Sequence, residues 1–519
     1  MVSVTDNMNR VRARLALCTL ALALVMTATI MAVFMDWRQG DAPSRSALAP
    51  VAMTHTVYLP LIYMRSDTIY GIEMTAVSDG AGLELMRNAG NTWVHLAGIW
   101  WPQIEPTEGN YNWSQMAFHE QNFRNAQNSN MKVVVVVRGT PDWAQKNPPW
   151  ACGPITQTKL AAFGEFMYQL VQRYSVAPYN VMHWELVNEP DVDPLWIPGK
   201  YNSLLGCWGD QTKPYYDGEY YAEMLKVVYP RMKEANPVAQ VLIGGLLLDC
   251  DPRLPLGSST SGCNTMERQR APKFFEGILR GGGGSYFDGV SFHAYDYFNA
   301  PGVVGTYSNT NWLAASNTNG SVIFAKAGFL QAVMAQYGVS GKYLMNTEIA
   351  LLCPRPYTWC DGAQTDQPRI NFEQTKAYLI AEMYPQAIIS GFRNVMWFRN
   401  KDEGIGTMSM LNDDLTPRPA YTAFLQSRLM LGEATYVRAL TSTADIGTVS
   451  NVRGYSFKLP DGRTVWTVWS LNGTTKVLTL PGQPAQAVNQ LGATMVVSAN
   501  NQLRLFPPYN LFSYVIWNP

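Results

Sequence analysis

The chain has 519 residues with 39 acidic and 39 basic side chains, so its formal net charge is zero. This balance argues against a nucleic-acid-binding protein, because such proteins carry a clustered excess of positive charge. Charged residues make up only 15% of the chain and aromatic residues 12%, with 16 tryptophans. Most tryptophans are expected in the core, but a tryptophan-rich surface with few charges also suits a neutral ligand with apolar ring faces, such as a sugar.

The N-terminal segment predicts export. Arg10, Arg12 and Arg14 precede an uncharged run at 15–35 that is long enough to cross a bilayer. The run is either a signal anchor or a cleaved signal peptide, and both alternatives place the rest of the chain in an extracellular or cell-surface location. Membrane contact is expected only through this segment, if it is not cleaved. The polar residues 36–56 are typical of a linker.

Eight short apolar runs follow, most of them separated by segments with helical periodicity such as 160–174 and 372–389. The runs lie at 69–74, 93–98, 132–137, 181–187, 240–245, 288–292, 342–345 and 394–398. Continuous apolar strands that alternate with helices indicate a parallel sheet covered on both faces. Eight such units predict an α/β fold, a (β/α)8 TIM barrel. An open doubly wound sheet is the alternative, although no glycine-rich phosphate-binding turn follows the first strand.

Two of these runs are followed closely by a glutamate. The fourth continues as HWELVNEP at 183–190 and leads to Glu189, and the seventh continues as YLMNTE at 343–348 and leads to Glu348. TIM-barrel active sites lie at the carboxyl ends of the strands, so both side chains are expected in one pocket. One protonated and one ionised carboxyl group are what hydrolysis of a glycosidic bond needs. Glu185, inside the fourth strand, is predicted to be a buried structural group.

Six of the seven cysteines lie in the loops after predicted strands three, four, five and seven, and they are candidates for disulfides: Cys152, Cys207, Cys250, Cys263, Cys353 and Cys360. An even number in an exported chain suggests disulfides, with buried free thiols as the alternative. Local spacing favours Cys250–Cys263 and Cys353–Cys360, which leaves Cys152–Cys207. No cysteine pair has zinc-site spacing and the five histidines are scattered, so neither a metal nor another cofactor is expected.

Helical periodicity disappears from about residue 429. A Pro-Asp-Gly turn at 460–462 joins two strand patterns, 455–459 and 464–469, into a predicted hairpin. Further strand patterns lie at 477–480, 494–497, 503–506 and 511–516. The expected organisation is therefore a leader and linker at 1–56, a barrel domain at 57–428 and a small all-β sandwich domain at 429–519.

The motif around Glu189 resembles that of the clan A glycoside hydrolases, which are retaining enzymes with catalytic glutamates on strands four and seven. The resemblance is nearest to families 5 and 39, covers about residues 65–427, and includes WPQIEP at 101–106 with Gly109 and Trp113, GTPDWA at 139–144 and PRPAY at 417–421. A terminal β domain is also common in these families.

The resemblance implies roles for individual residues. Glu189 would be the acid/base and Glu348 the nucleophile. The substrate-binding candidates are Asn188, which would bond the sugar 2-hydroxyl; Tyr295 or His293, which would orient Glu348; Trp397, which would form the floor of the subsite; and Trp143, His95 and Arg138. His95 stands where many relatives carry an arginine that pairs with the nucleophile, and Arg138 or Arg399 could substitute.

These features predict a secreted retaining β-glycosidase that acts on oligosaccharides or polysaccharides, with a raised pKa at Glu189 caused by the charge of Glu348. Two alternatives remain. One is a carbohydrate-binding protein whose barrel has lost activity, which the replacement by His95 favours. The other is a transglycosylase that uses the same carboxyl groups. A serine hydrolase is disfavoured because the chain lacks a G-x-S-x-G motif, and a metallohydrolase because of the scattered histidines.

Overall fold

The computed structural model describes residues 68–193, 205–256, 263–317, 320–354, 360, 365–403, 407–441 and 443–519. The predictions for the N-terminal segment and linker fall outside these residues. No helix in the described ranges is both long enough and apolar enough to cross a membrane.

Eight parallel strands form a closed barrel. Their bounds are β1 Tyr70–Glu73, β2 Trp93–Trp100, β3 Lys132–Arg138, β4 His183–Leu186, β5 Gln240–Leu246, β6 Gly289–Tyr297, β7 Tyr343–Leu352 and β8 Asn394–Trp397. Each strand pairs in parallel with the next, and β8 closes the barrel against β1 with Val395 opposite Tyr70. The predicted TIM barrel is confirmed, and the open-sheet alternative is wrong.

The strands are apolar along most of their length because both of their faces are covered. In β3 the five valines at 133–137 are all buried. Five residues from five different strands form one apolar cluster: Trp93, Val134, Leu242, Met345 and Met396. The opposite faces of the strands pack against helices, so a continuous apolar run is compatible with every strand position.

One main helix follows each strand. Their bounds are α1 Leu83–Asn88, α2 Ala117–Asn128, α3 Leu160–Tyr174, α4 Gly218–Ala235, α5 Phe274–Arg280, α6 Val322–Gln336, α7 Gln367–Ile389 and α8 Pro419–Leu431. The buried side chains of α3 recur every three or four residues, as expected for a helix with one face on the sheet. At the start of α6 the Ser321 side chain accepts a hydrogen bond from the Ile323 amide and so caps the helix.

Two strands continue beyond their predicted ends. The apolar runs stop at residues 292 and 345, whereas β6 reaches Tyr297 and β7 reaches Leu352. His293 and Glu348 are cross-strand partners in this extension instead of strand-terminal residues. The apolar pattern stops early because these polar side chains contact one another and Glu189, while the backbone ladder continues.

The C-terminal part of the described chain is antiparallel. Its strands are β9 Thr435–Ala439, β10 Val452–Lys458, β11 Thr464–Ser470, β12 Lys476–Thr479, β13 Gln486–Asn489, β14 Gln502–Leu505 and β15 Phe512–Trp517. The sheet order is β9-β10-β11-β15-β13, and β12 pairs with β14 in a second sheet. The predicted hairpin is confirmed as β10 and β11, whereas the segment predicted as a strand at 494–497 forms only isolated bridges.

The two C-terminal sheets share an apolar cluster that includes Trp466, Leu478, Leu503 and Val515. This arrangement is a small sandwich, as predicted. The sandwich also contacts the barrel through α7. The Tyr378 hydroxyl donates to the Ser470 carbonyl at 2.8 Å, and Arg453 donates to the Gln386 side chain at 2.8 Å.

Candidate active site

A cavity of about 400 Å³ lies at the carboxyl ends of the barrel strands. Six of the residues predicted to act at the site line it: His95, Arg138, Asn188, Glu189, Tyr295 and Glu348. The lining also includes Glu73, Phe398 and Arg399. The barrel therefore gathers residues from strands that are far apart in the sequence into one polar pocket.

Glu189 and Glu348 face each other through His293. The His293 Nδ1 atom lies 2.7 Å from Glu189 Oε1 and 3.3 Å from Glu348 Oε2. One oxygen of each carboxyl group lies within 4.8 Å of the other. Only 6% of Glu189 and 7% of Glu348 is exposed, so the two carboxyl groups interact in a largely dehydrated environment.

The backbone at Glu189 has an unusual conformation. Val187 has φ +68° and Glu189 has φ +46°, both in the left-handed region that favours glycine. This turn lies directly on β5, since a Cβ atom on Gly244 would come within 1.7 Å of the Val187 carbonyl oxygen. The Glu189 amide donates to the Gly245 carbonyl at 3.1 Å. The bare backbone of β5 thus permits the close approach that directs Glu189 into the cavity.

A buried aspartate holds the loops after β4 and β5 together. The two carboxylate oxygens of Asp191 accept hydrogen bonds from the amides of Leu247 and Leu248, each at 2.8 Å. Burial raises the pKa of Asp191 to about 6, although these hydrogen bonds oppose the effect. Because Asp191 lies two residues after Glu189, the contact fixes the loop that carries Glu189.

Glu348 is held by Tyr295, whose hydroxyl donates to Glu348 Oε2. Burial and the charge of Glu348 raise the pKa of Tyr295 well above its usual value, so the phenol remains a donor. Burial raises the pKa of Glu348 itself to about 8; the charges of Glu73 and Glu189 add to this shift and His293 opposes it. The sequence predicted a raised pKa for Glu189. The structure raises the pKa of Glu348, and one of the causes, the negative charge of Glu73, was not part of the prediction.

His293 is a charged hydrogen-bond donor between the two acids. Burial disfavours its charged form, but Glu348 and Glu189 outweigh burial and raise the pKa of His293 to about 9. Its side chain is fully buried and lies behind the cavity wall. Tyr295 and His293, the two residues predicted as alternatives for orienting Glu348, therefore both contact it.

His95 contacts two other glutamates, Glu73 and Glu185. Its Nδ1 lies 3.2 Å from Glu73 Oε2 and its Nε2 lies 3.7 Å from Glu185 Oε1. Burial opposes the charge of His95, but hydrogen bonds to Glu185 and Glu73 hold its pKa well above the usual range. Burial likewise opposes ionisation of Glu185, and His95 outweighs it and lowers the Glu185 pKa. Glu185 is fully buried, as predicted.

The two arginines considered as partners of Glu348 make other contacts. Arg399 lies 3.5 Å from Glu73 and 3.1 Å from Glu403. Arg138 lines the cavity, and its guanidinium lies 5.3 Å from the centre of the Trp100 ring. The contacts of Glu348 described above come instead from Tyr295 and His293.

Three predicted residues lie outside the cavity lining: His293, described above, and two tryptophans. Trp397 is fully buried and its Nε1 donates to the Met408 carbonyl at 2.8 Å. The next residue, Phe398, lines the cavity in its place. Trp143 packs edge-on against Trp101, with ring centres 5.4 Å apart. Trp397 therefore does not form the floor of this cavity, which was the role that the resemblance implied for it.

Glu73 is a charged cavity residue that sequence reasoning missed. It is the last residue of β1, and only 2% of it is exposed. No motif surrounds it, so the only available signal was its position at the carboxyl end of the first predicted strand. That position is where TIM barrels place functional side chains.

His95 and His293 are far apart in the sequence, but each lies close to carboxylates in the structure. Glu189, His293 and Glu348 form one set of possible metal ligands, and Glu73, His95 and Glu348 form another, with one donor atom from each member within 4.8 Å of the others. In both sets a histidine nitrogen already lies within hydrogen-bonding distance of a carboxylate. These contacts use Nδ1 of each histidine, whereas Nε2 of His95 and of His293 is buried without a hydrogen-bond partner among the described residues.

Three disulfides lie in the loops around the carboxyl ends of the strands. The pairs are Cys152–Cys207, Cys250–Cys263 and Cys353–Cys360, with Cα atoms 5.2, 5.2 and 6.0 Å apart. The pairing favoured by spacing is confirmed. Cys152–Cys207 joins the loop after β3 to the loop after β4, which also carries Glu189.

Comparison with known proteins shows which enzymes share this architecture. A family 39 glycoside hydrolase from the gut symbiont Bacteroides cellulosilyticus WH2 is similar at 19% identity and a TM-score of 0.60, over 88% of this chain and 81% of that chain. The fold is that of the clan A glycoside hydrolases. The catalytic domain of family 30 xylanase C from Talaromyces cellulolyticus is similar at 15% identity and a TM-score of 0.51, over 88% of this chain and 99% of that chain.

A family 39 β-xylosidase from Caulobacter crescentus is also similar, at 13% identity and a TM-score of 0.51, over 87% of this chain and 97% of that chain. No protein-family model and no curated protein matches the chain. The resemblance to family 39 that the motifs indicated is therefore confirmed for the fold. The similarity to family 30 was not predicted.

Proposed function

We propose that this protein is a secreted retaining β-glycosidase that hydrolyses the O-glycosidic bonds of β-glycans by double displacement. The observation that carries the proposal is the approach of one Glu189 oxygen to one Glu348 oxygen within 4.8 Å, in a single cavity. Retaining enzymes hold their carboxyl groups about 5–5.5 Å apart, whereas inverting enzymes leave about 6.5–9.5 Å for a water molecule. The short separation favours direct attack by a carboxylate.

In this proposal Glu348 is the nucleophile and Glu189 is the acid/base. Glu348 attacks the anomeric carbon while Glu189 gives its proton to the leaving oxygen, and the glycosidic bond breaks. In the second step Glu189 takes a proton from water, and the resulting hydroxide displaces Glu348 from the sugar. Tyr295 holds Oε2 of Glu348, which leaves Oε1 for attack. His293 contacts both acids and stabilises the negative charge that moves between them.

The substrate is proposed to be a neutral oligosaccharide or polysaccharide outside the cytoplasm. Three disulfides are typical of proteins in oxidising compartments, which supports secretion. Two of the similar structures are named as a xylanase and a β-xylosidase. Xylan and aryl β-xylosides are therefore the first substrates to test, followed by the corresponding glucans and mannans.

Azide rescue tests the assignment of the two acids. Glu348→Ala should abolish turnover of aryl β-glycosides, and azide should restore it with a glycosyl azide of inverted configuration. Glu189→Ala should give an azide product of retained configuration, because Glu348 still forms the covalent intermediate. Product configuration is read by NMR.

Four other results would contradict the proposal. Full activity of Glu348→Ala would exclude its role as the nucleophile. Absence of turnover across the whole substrate panel would favour the inactive carbohydrate-binding alternative, and products longer than the substrate would favour a transglycosylase. Loss of activity in EDTA with recovery on adding a divalent metal would indicate that the Glu–His–Glu sets bind an ion.

A further inference from the structure

A second cavity, which the glutamate mechanism does not use, lies between the loops that follow β3 and β4. Its volume is about 610 Å³, larger than that of the cavity around Glu189. Trp150 and Trp208 supply its aromatic lining, and Lys146, Asp210, Gln211 and Asp217 supply polar groups. Trp208 is almost fully buried and Trp150 is half-buried, so Trp150 presents the more accessible indole ring.

This cavity is attached to the Glu189 side of the active site. The Trp208 amide donates to the carbonyl of Pro190, the residue after Glu189, at 3.2 Å. Leu205 lines the active cavity and Trp150 lines the second one, and both pack on the apolar group formed by Cys152, Cys207 and Val192. The two cavities therefore flank a single disulfide-linked layer. Glu189 protonates the leaving oxygen in the proposed function, so the leaving-group part of a glycan departs on this side.

The lining indicates the chemistry of the ligand. Lys146 Nζ is paired with Asp217 at 3.1 Å and lies 3.7 Å from the centre of the Tyr220 ring, so its charge is already compensated. Asp210 adds a second carboxylate, which disfavours phosphates and acidic sugars. An indole ring beside amide and carboxylate acceptors suits a neutral ring that carries many hydroxyl groups.

We propose that the cavity lined by Trp150 and Trp208 binds distal sugars of the same glycan chain, on its leaving-group side. This inference rests on the proposed function and extends it: the protein acts on chains long enough to reach from Glu189 to Trp150, and not only on short glycosides. Trp150 stacks on a sugar ring, while the Gln211 amide donates and accepts hydrogen bonds at its edge and the carboxylates accept them.

Binding to an inactive protein tests this site separately from catalysis. Glu348→Gln is used as the background, and affinity for arabinoxylan, mixed-linkage β-glucan and galactomannan is measured by affinity electrophoresis and calorimetry. Adding Trp150→Ala should weaken binding of the polymer about tenfold or more, the loss typical for removing an aromatic anchor. Trp150→Phe, which keeps an aromatic ring, should lose less. Trp517→Ala, a half-buried tryptophan of the C-terminal sandwich, should bind like the background.

A second measurement needs no substitution at Trp150. Hydrogen exchange of the Glu348→Gln protein should slow at 146–154 and 208–217 when the polymer is added.

In the otherwise unmodified enzyme, Trp150→Ala should lower kcat/KM for the polymer more than kcat/KM for an aryl glycoside. Equal polymer affinity in the Trp150→Ala and Trp517→Ala proteins, or unchanged exchange in both segments, would overturn the inference. If the wild-type protein hydrolyses aryl glycosides but binds none of the three polymers, the second site is wrong and the proposed function stands.

Discussion

Glu73 adds a third negative charge to the cavity that contains Glu189 and Glu348. It contacts His95 and Arg399 directly, and its charge raises the pKa of both Glu348 and Tyr295. The proposed reaction needs one proton on the pair of acids, and that proton belongs to the pair as a whole. A pKa of about 8 at Glu348 means that the pair keeps its last proton up to about that pH.

We therefore expect kcat/KM to fall as the pH rises above about 8, when no proton remains for the leaving oxygen. Glu73→Gln removes a charge that favours the protonated pair, so this fall should begin at a lower pH. Both profiles are measured with an aryl glycoside over a range of pH. His95, Arg399, Glu185 and His293 also carry charge near this position, so the direction of the shift is the decisive result.

Glu382→Gln is a matched control for this experiment. Glu382 is fully buried in α7, and burial raises its pKa well above the usual value, so it is already neutral. The substitution keeps size and charge unchanged there, and the pH profile should remain that of the wild-type protein. An identical profile for Glu73→Gln would show that Glu73 has no influence on the proton shared by Glu189 and Glu348.

Residue-level prediction from the sequence succeeded where a motif fixed the position and failed where side-chain direction mattered. Glu189, Asn188 and Glu348 line one cavity because TIM barrels place strand ends at one face. Trp397 was expected there too, but alternate residues of a strand point to opposite sides, and Phe398 is the residue that faces the cavity. The sequence does not show this alternation, because both residues are large and apolar.

At the next scale, the loops after β4 and β5 act as one unit because of Asp191. Asp191→Ala should remove two charge-assisted hydrogen bonds and lower the free energy of unfolding by about 2–4 kcal/mol. It should also lower kcat, since Glu189 lies two residues away on the released loop. Asp191→Asn keeps one oxygen acceptor and should lose less of both. Urea unfolding and steady-state kinetics measure the two effects, and wild-type stability in Asp191→Ala would contradict this account.

The strands and helices of the barrel could be predicted more fully than their ends. A run such as the valines of β3 indicates a buried strand in any context. The last residues of β6 and β7 could not be assigned, because His293, Asp296 and Glu348 interrupt the apolar pattern while the two strands remain paired as far as Tyr297 and Leu352. A hydrophobic pattern marks side chains that pack against other apolar side chains, so it breaks where a paired strand carries polar groups that form hydrogen bonds.

For the whole molecule, composition and pattern predicted both parts of the fold, the barrel and the C-terminal sandwich. They did not predict the contact between them. Tyr378, buried in α7, donates to Ser470 in β11, and neither residue belongs to a recognisable motif. Such long-range pairs depend on the final packing of complete elements, and a single sequence carries no signal for them.

The left-handed backbone of Val187 and Glu189 has a consequence for the stability of the whole chain. A non-glycine residue in this region costs about 1–2 kcal/mol, and Glu189 is the acid of the proposed function. Glu189→Gly and Glu189→Ala both remove that acid, but only glycine adopts φ +46° without strain. We expect the glycine variant to resist urea better than the alanine variant by about 1 kcal/mol, and equal midpoints would contradict this. The wild-type chain thus tolerates local backbone strain at the very residue proposed to supply the proton, a cost of the same order as one buried hydrogen bond.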